Sequence, residues 1–332
     1  MGAMSSGTVR IGVLGAARIA PSAVVKPAQH CAEAAVSAVA ARDRARAAAF
    51  AQEHQVPRVH DSYDALLADP DIDAVYNPLP NGLHARWTIA ALEAGKHVLC
   101  EKPFTANARE AEEVAAVAQR SGRVVMEAFH YRYHPLAHRM LELVESGELG
   151  TIRRIETALC FPLPKFSDIR YQYDLAGGAT MDVGTYTVHM ARLLGREEPE
   201  VVSAEPRLRS PDVDRAMRAE LRFPGGHTGR ITCSMWSTWV LQTSAKVIGE
   251  RGELHVINPT APQMWHRFRV KVDGSSRTEK FPRKPTYEYQ LEAFCAAVLR
   301  GEPTLTPPAD SIANMRVLDA IYVAAGLTPR GT

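Results

Sequence analysis

Apolar, strand-like runs alternate with helix-favouring segments from residue 8 to about residue 128, and this alternation constrains the fold more than any other feature. The strand-like runs are VRIGVLG, AAVSAVAAR, IDAVYNPLP, HVLCEKP and RVVMEAF. Continuously apolar strands that alternate with helices are typical of parallel sheets with both faces covered. The sequence therefore predicts an α/β domain with a doubly wound parallel sheet over residues 8–129.

The pattern changes near residue 130. Beyond Thr151 apolar residues alternate with polar ones, and glycine-containing turns join the strands of RAMRAELRFPGGHTGRITCSMWS, SAKVIGERGELHVI and RFRVKVDGSSRTEKF. Such pairs predict β-hairpins in a sheet with one covered face. We expect residues 130–330 to form a second α/β domain with a large, open, mainly antiparallel sheet, and a helix to start after Pro135.

Composition narrows the functional classes. A chain of 332 residues with a net charge of +2 has no basic excess of the kind that marks nucleic-acid binding. It has no run of about 18 apolar residues that could cross a membrane, and MGAMSSG at its start is not a secretory signal. The five cysteines are widely spaced and form no C-x-x-C pair, which fits a reducing cytoplasm. We therefore expect a cytoplasmic protein without nucleic-acid or membrane partners.

Three histidines, His130, His134 and His138, are spaced four residues apart. On one helix this spacing would present a metal-binding face. Pro135 disfavours a helical conformation at His134, and no acidic partner lies in register. We therefore expect no metal site.

The turn after the first strand carries a nucleotide-binding pattern. It reads Gly15, Ala16, Ala17, Arg18, Ile19 and Ala20, against the dinucleotide fingerprint G-x-G-x-x-G/A. Gly15 matches the tight-turn glycine and Ala20 the third position, whereas Ala17 replaces the second glycine. An ordinary strand–turn–helix connection is the alternative. The place between a first strand and a helix favours a dinucleotide whose phosphates bind amide groups at the helix N-terminus.

The end of the second strand bears on which dinucleotide binds. Arg42 occupies the place where an arginine pairs with the 2′-phosphate of NADP, and Arg44 and Arg46 follow closely. Asp43 could instead bond the ribose 2′-hydroxyl of NAD, or cap the next helix. The sequence favours NADP(H), with NAD(H) as the alternative cofactor.

The fourth strand-like run, HVLCEKP, ends in Glu101, Lys102 and Pro103. In a doubly wound sheet this end faces the crevice in which a dinucleotide binds. Lys102 is expected to project towards the reacting carbon, and Pro103 to restrict its backbone to an extended conformation. Glu101 is expected to bond the cofactor ribose or to orient the lysine.

The sequence resembles the Gfo/Idh/MocA oxidoreductase family over nearly its whole length. The resemblance rests on GVLGAARIA, AARDRARAAAFAQEH, DAVYNPLPNGLHARWTIAALEAGKHVLCEKP, GGATMDVGTYTVH and LDAIYVAAG. It is nearest to the dimeric dihydrodiol dehydrogenase and NADP-linked aldose dehydrogenase branch, and DIRYQYDLAGGATMDVGTY is also similar to sugar 3-ketoreductases of deoxysugar pathways. The resemblance implies a Rossmann domain and a catalytic lysine paired with tyrosine or histidine. It also implies a second domain that binds substrate and dimerises through its open sheet, and hence a homodimer or homotetramer.

The segment AGGATMDVGTYTVHMARLLG carries the expected partners of Lys102. Asp182, Tyr186 and His189 are spaced i, i+4 and i+7, which places them on one face of a regular helix. The branch resembled here has tyrosine at the position of Tyr186. Tyrosine keeps its proton at neutral pH and a nearby ammonium stabilises the tyrosinate, so Lys102 and Tyr186 are expected to share the proton-donor role. Asp182 is expected to bond the substrate or hold Lys102, and His189 to be a core or supporting residue.

Two further segments match the family. The loop with Asn77, Pro78, Leu79 and His84 matches one that lies near the nicotinamide, and Arg170 resembles an arginine that reaches the cofactor. Asn77 could instead simply end its strand. Arg170 could form a surface salt bridge.

Aromatic residues complete the set of candidates. Tyr131 and Tyr133 flank a strand end and are expected to line the substrate site. Trp236 and Trp239 could stack on a sugar or pack in a subunit interface. The sequence alone does not separate these two roles.

The residues and the resemblance together predict an NADP(H)-dependent oxidoreductase. It would transfer hydride between the nicotinamide and an alcohol or carbonyl carbon of a sugar, sugar derivative or cyclic diol. One alternative is an NAD(P)-retaining glycoside hydrolase that uses an oxidation–elimination–reduction cycle. Another is a non-catalytic cofactor-sensing protein, although a sensor needs no proton donor.

Overall fold

The computed structural model describes residues 7–236 and 241–332. Within these residues the chain divides into two compact units. The first unit contains the chain up to Thr105, Arg109–Tyr133 and Lys284–Ser311. The second unit contains Ala106–Ala108, His134–Arg283 and Ile312–Thr332.

The helices of the described residues occur in both units. They are α1 (Lys26–His30), α2 (Arg44–His54), α3 (Tyr63–Leu67), α4 (His84–Glu93), α5 (Ala108–Ser121), α6 (Pro135–Glu145), α7 (Thr185–Gly195), α8 (Thr286–Arg300) and α9 (Pro308–Ala324). The helix predicted to start after Pro135 is α6, and it begins at Pro135 itself, because the fixed φ of proline suits the first turn. Among the described residues, no helix combines the length and the apolar character needed to cross a membrane.

The strands of the first unit form a parallel sheet. They are β1 (Val9–Leu14), β2 (Ala34–Ala40), β3 (Arg58–His60), β4 (Ala74–Asn77), β5 (His97–Cys100) and β6 (Val125–Glu127). In the described residues this sheet has six strands in the order β3-β2-β1-β4-β5-β6, which confirms the predicted doubly wound parallel sheet. The sequence pattern misses β3, because its three residues are only half-buried and form no apolar run. The strand before Lys102 is therefore the fifth along the chain rather than the fourth.

An apolar core joins β1 and α8 in the first unit. Ile11 and Val13 of β1 are at most 1% exposed, and Leu291 and Phe294 of α8 belong to the same buried cluster. Burying one such side chain stabilises a fold by about 1.5–3 kcal/mol. This packing returns Lys284–Ser311 to the first unit, a long-range contact that the predicted linear boundary near residue 130 does not describe.

The second unit is built on a larger sheet. Its strands are β7 (Ile152–Cys160), β8 (Glu200–Ser210), β9 (Val213–Arg222), β10 (Thr228–Ser234), β11 (Gln242–Gly249), β12 (Gly252–Ile257), β13 (Arg267–Val272) and β14 (Ser275–Glu279). In the described residues this sheet has eight strands in the order β14-β13-β12-β11-β7-β10-β9-β8, and the neighbours are antiparallel except for β7 and β10. The predicted hairpins are β9–β10, β11–β12 and β13–β14. The predicted large, mainly antiparallel sheet is thus confirmed.

The two faces of this sheet differ, as the alternation of side chains along a strand requires. On one face Thr157 Oγ1 donates to Thr187 O of α7 at 2.8 Å. The other face is charged, since Arg154 bonds Glu156 at 2.8 Å and Glu220 at 3.2 Å. One face therefore packs against α7, and the other is a polar surface.

Candidate active site

The glycine loop begins where β1 ends. Gly15 has a φ of +92°, which L side chains rarely adopt, and its amide donates to Ala40 O at 2.6 Å. A Cβ atom at Gly15 would lie 3.0 Å from Leu79 Cδ2, so the loop after β4 packs closely on this turn. The backbone conformation therefore favours glycine here.

The rest of the loop is open to solvent. Ala16 and Ala17 are half-buried, and Arg18 and Ile19 are exposed. A π turn, Pro21–Val25, then leads into α1. A tight glycine turn followed by an accessible loop and the start of a helix fits the pyrophosphate of a dinucleotide.

Asp43 caps the helix that follows β2. Its Oδ1 accepts from the amides of Ala45 at 2.9 Å and Arg46 at 3.4 Å. The sequence left two roles for Asp43, a bond to the ribose of NAD and a helix cap, and the structure shows the helix cap. A ribose contact by Asp43 stays a prediction.

The three arginines after β2 differ in their surroundings. Arg42 is exposed at the strand end. Arg44 forms an ion pair with Asp61, whereas the Arg46 guanidinium donates to Ala16 O at 3.2 Å. Arg46 thus brings positive charge to the glycine loop itself.

An aromatic pair lies beside the same loop. The rings of Tyr63 and Trp87 meet edge to face, with centroids 4.7 Å apart, and the Arg86 guanidinium lies 5.2 Å from the Trp87 centroid. The Tyr63 hydroxyl lies 3.7 Å from the position of a Cβ atom on Gly15. The pair is not predictable from the sequence, because its members lie on separate helices, 24 residues apart in the chain.

Internal hydrogen bonds hold the loop after β4. Asn77 is fully buried, and its Nδ2 donates to His84 O at 3.2 Å and to Thr88 Oγ1 at 3.1 Å. The His84 ring places Nδ1 2.7 Å from Pro103 O and Nε2 2.7 Å from Leu79 O. Pro78 and Leu79 are buried as well. Asn77 and His84 therefore shape this loop, and their contact with a nicotinamide stays a prediction.

Lys102 is half-buried and follows β5, and its peptide bond to Pro103 is cis. Burial lowers the pKa of His84 to about 4, the Lys102 charge acts in the same direction, and the two carbonyl contacts oppose them. Burial and then the Lys102 charge also lower the pKa of His130, to about 3. The ammonium charge of Lys102 thus acts, like burial, against protonation of both imidazoles.

Glu101 orients the backbone at this position. Its Oε1 accepts from the Tyr76 hydroxyl at 2.7 Å, and its Oε2 accepts from the Lys102 amide at 3.3 Å. Glu101 is 8% exposed, so these contacts are made largely away from water. Both roles expected for Glu101, bonding the cofactor ribose and orienting the lysine side chain, stay predictions.

Two residues of α8 contact His130, an arrangement that the sequence pattern does not predict. His130 Nδ1 lies 2.8 Å from Thr286 Oγ1, and the His130 and Tyr287 rings have centroids 4.1 Å apart. Burial and the Glu101 charge raise the pKa of Tyr287. No local signal links residues so distant in the chain. Two of the three histidines with four-residue spacing thus have protein partners. His130 contacts Thr286 and Tyr287, and His134 Nε2 lies 3.0 Å from Pro282 O.

Tyr131 and Tyr133, the expected substrate-lining residues, are buried. Tyr131 is 0% exposed, and Tyr133 belongs to the apolar core, with its hydroxyl 2.9 Å from Thr306 Oγ1. The structure gives Tyr133 a packing role, and substrate contact by either residue stays a prediction.

The two tryptophans that could stack on a sugar or lie in a subunit interface are only partly described. Trp236 is 38% exposed, and Trp239 lies outside the described residues.

The segment with Asp182 and Tyr186 departs from the predicted geometry. Asp182 lies in a π turn, Thr180–Gly184, and Tyr186 in the first turn of α7. The regular spacing predicted for Asp182, Tyr186 and His189 on one helical face is therefore interrupted at its start. Tyr186 and His189 are buried, at 7% and 3% exposure. Single π turns inside helices are frequent at functional sites.

Arg170 lies beside Asp182 in the second unit. Its Nε donates to Asp168 Oδ1 at 2.9 Å, and its Nη1 lies 3.6 Å from Asp182 Oδ2. The structure thus shows the salt-bridge role that the sequence left open for Arg170. Its contact with a cofactor stays a prediction.

Comparisons with known proteins agree with this architecture. Residues 9–129 match the model of the oxidoreductase family with an NAD-binding Rossmann fold, and residues 137–255 match the GFO/IDH/MocA C-terminal domain. The chain is 40% identical to D-xylose 1-dehydrogenase (NADP(+)) 2 of Haloferax volcanii over 95% of its own length and 96% of the relative's. It is 33% identical to dTDP-3,4-didehydro-2,6-dideoxy-alpha-D-glucose 3-reductase of Actinomadura kijaniata, with 96% of each chain covered.

A solved structure is similar over the same extent. The 3-ketoreductase KijD10 from Actinomadura kijaniata, crystallised with NADP and TDP-benzene, has a TM-score of 0.90 and 31% identity, and the match covers 96% of this chain and 98% of that one. The similar proteins are dehydrogenases and reductases that act on sugars. The chain is thus an NAD(P)-dependent oxidoreductase that belongs to the Gfo/Idh/MocA family.

Proposed function

We propose that the enzyme uses NADP(H) and moves hydride between the nicotinamide and an alcohol or carbonyl carbon of a sugar or sugar derivative. The observation that carries the proposal is the position of Lys102, which follows β5 and precedes Pro103, whose carbonyl oxygen lies 2.7 Å from His84 Nδ1. An ammonium at the carboxyl end of a strand of the parallel sheet can stabilise the negative charge that develops on a substrate oxygen.

The chain's own residues would handle the proton. The bound cofactor would supply or accept the hydride. Lys102 would donate a hydrogen bond to the substrate oxygen, and Tyr186 would give its proton to that oxygen in reduction and take it back in oxidation. Asp182, with Arg170 3.6 Å away, would orient a substrate hydroxyl. The proposal requires Lys102 and Tyr186 to face one substrate.

The first unit offers a matching set of groups for the cofactor. The turn at Gly15 would accept the pyrophosphate, and Glu101 would lie near the nicotinamide ribose. Arg42 would pair with the 2′-phosphate of NADP, and Arg46, already in contact with the glycine loop, would support it. The capping role of Asp43 favours NADP(H) over NAD(H), because its carboxylate is engaged with the start of α2.

We expect Arg42→Ala to weaken NADPH binding by about 10- to 100-fold and NADH binding by less than about threefold, since a hydrogen bond to a charged group contributes about 1.5–3 kcal/mol. Fluorescence titration with both cofactors measures this difference. Arg44→Ala is the matched control, because the Arg44 guanidinium is paired with Asp61. Equal losses for NADPH and NADH in Arg42→Ala would show that Arg42 does not read the 2′-phosphate.

The substrate class follows from relatives that act on D-xylose and on a dTDP-linked deoxysugar. We expect a panel of aldoses, ketosugars and nucleotide-linked ketosugars to give product with stoichiometric change in NADPH, followed by its ultraviolet absorbance. A cofactor-retaining glycoside hydrolase would release sugar without net NADPH consumption. A sensor would bind NADPH tightly and turn over no substrate. Either result would replace the proposed function.

We also propose that the enzyme is a homodimer or homotetramer. The proposal follows the family resemblance, in which the open sheet of the second domain forms the interface. The charged face of that sheet, with Arg154, Glu156 and Glu220, is the surface proposed for contacts between two copies, because it is the face that does not pack against α7.

A further inference from the structure

A fully buried ion pair lies in the second unit. The side chains of Arg330 and Asp214 are both 0% exposed, and Arg330 Nη2 lies 3.1 Å from Asp214 Oδ1. Taking two charges out of water is costly, so a buried pair is a weak source of stability. Its role is better sought in the groups that it holds in place.

The pair holds both sides of the glycine turn that precedes the π turn. Arg330 Nε donates to Gly177 O at 2.8 Å, and Nη1 donates to Thr328 O at 3.2 Å. Asp214 Oδ2 accepts from the amide and from the hydroxyl of Thr180, each at 2.7 Å. Arg330 therefore fixes the backbone before the turn, and Asp214 fixes it after the turn.

The side chains of Asp214, Tyr322 and Arg330 leave no room for a side chain at Gly178, the second glycine of the turn. Gly178 has a φ of +138°, and a Cβ atom there would lie 2.3 Å from Asp214 Oδ1 and 2.8 Å from the Tyr322 hydroxyl. Tyr322 donates to Asp214 Oδ1 at 3.0 Å, and the Arg330 guanidinium lies 4.2 Å from the Tyr322 ring centroid. Gly178 O in turn accepts from the Asp182 amide at 3.0 Å. The cluster thus surrounds the residue whose carbonyl bonds Asp182.

A second segment is tied to the same arginine. Asn107 Nδ2 donates to Arg330 O at 2.8 Å, and the neighbouring Ala108 amide donates to Asp319 Oδ2 at 2.9 Å. Asn107 is 1% exposed, so this contact is shielded from water. In the chain, Asn107 follows Lys102 by only five residues.

We infer that Arg330 is a positioning residue that, together with Asp214, fixes the turn from which Asp182 and Tyr186 are presented. The inference rests on the proposed function, since it assigns a purpose to the position of those two side chains. Arg330 itself is assigned no contact with the substrate or the cofactor. It acts through the backbone of Gly177 and, through Asp214, on Thr180.

Arg330→Lys tests the inference, because lysine keeps the charge and lacks the planar fork that reaches several acceptors. We expect kcat to fall by about 10- to 100-fold while the Kd for NADPH changes by less than about threefold, since a displacement of about 1 Å at a reacting group can cost about 10²-fold. Asp214→Asn is the second variant, to be used if Arg330→Lys does not fold. Arg139→Lys is the control, because it alters another ion pair of the second unit, that with Glu279 at 2.9 Å, and should leave kcat unchanged.

Measuring Arg330→Lys in a second variant shows whether Arg330 acts by positioning the catalytic side chains or only by stabilising the fold. In Asp182→Asn/Tyr186→Phe, where both polar groups to be positioned are altered, Arg330→Lys should lower kcat by less than about threefold further, because groups that act as a unit are non-additive. The melting temperature should fall by the same amount in both backgrounds. A full further loss of kcat in the Asp182→Asn/Tyr186→Phe background would overturn the inference.

Hydrogen exchange distinguishes failure of this inference from failure of the proposed function. At a temperature where the variant is folded, amides of residues 177–186 should exchange at least about tenfold faster in Arg330→Lys, and the rest of the second unit should not. Local acceleration with no turnover by the wild-type enzyme would refute the proposed function and support the positioning role. Unchanged exchange in this segment, or uniform acceleration across the second unit, would overturn the inference.

Discussion

Replacing Lys102 by methionine should lower kcat by about 10²–10⁴-fold, which is the range that a positioned acid or base contributes. The substitution keeps a side chain of similar length and removes the ammonium. NADPH affinity should change by less than about threefold, because the ammonium would act on charge that develops during the reaction rather than on the bound cofactor. Single-turnover kinetics and a fluorescence titration with NADPH measure the two quantities separately.

The structure explains why binding should survive this substitution. The backbone around Lys102 is held by contacts that do not involve the ammonium: Pro103 O lies 2.7 Å from His84 Nδ1, and Glu101 Oε2 accepts from the Lys102 amide at 3.3 Å. Lys280→Met, which changes an exposed lysine of the second unit, is the matched control. Wild-type kcat in Lys102→Met would remove Lys102 from the chemistry. A parallel loss of NADPH binding would instead make it a cofactor ligand.

The fold is predictable from sequence wherever burial imposes a regular period on the residues. Both faces of β1 are covered, so it reads as a continuous apolar run, and β9 and β10 alternate because only one face of their sheet packs against helices. β3 is too short and too exposed to produce either pattern. The π turn at Thr180–Gly184 is also invisible to periodicity, because a tertiary contact, from Asp214 to Thr180, holds the backbone there.

The candidate site also contains residues that the sequence predicts and residues that only the packed structure brings together. Gly15 and Lys102 are recognisable because their chemistry is local: a turn that needs glycine, and a lysine at the end of a buried strand. The neighbours of Lys102 are not, since Tyr76, His130 and Tyr287 come together only after the sheet and α8 have packed. A family motif identifies a position in a fold, and the surrounding contacts decide what the residue at that position can do.

Tyr186→Phe should lower kcat by about 10²–10⁴-fold, because it removes the hydroxyl proposed to carry the proton. The ring remains, so packing at this 7%-exposed position should be preserved. Loss of one hydrogen bond costs a net of about 0.5–1.5 kcal/mol, so thermal unfolding should shift by only a few degrees. Tyr289→Phe, on α8, is the matched control and should keep wild-type kcat. A Tyr186→Phe enzyme with normal kcat would leave the proton to another group.

The double variant Lys102→Met/Tyr186→Phe shows whether the two residues serve one reaction step. If they acted independently, their separate losses would multiply. If they share one proton transfer, the second substitution removes a group that has already lost its partner, and the double variant should be slower than the slower single variant by less than about tenfold. Lys102 belongs to the first unit and Tyr186 to the second, so their energetic coupling measures directly the convergence that the mechanism requires. Multiplying losses would mean that the ammonium and the phenol act at separate places, and the proposed proton transfer would then have no shared substrate oxygen.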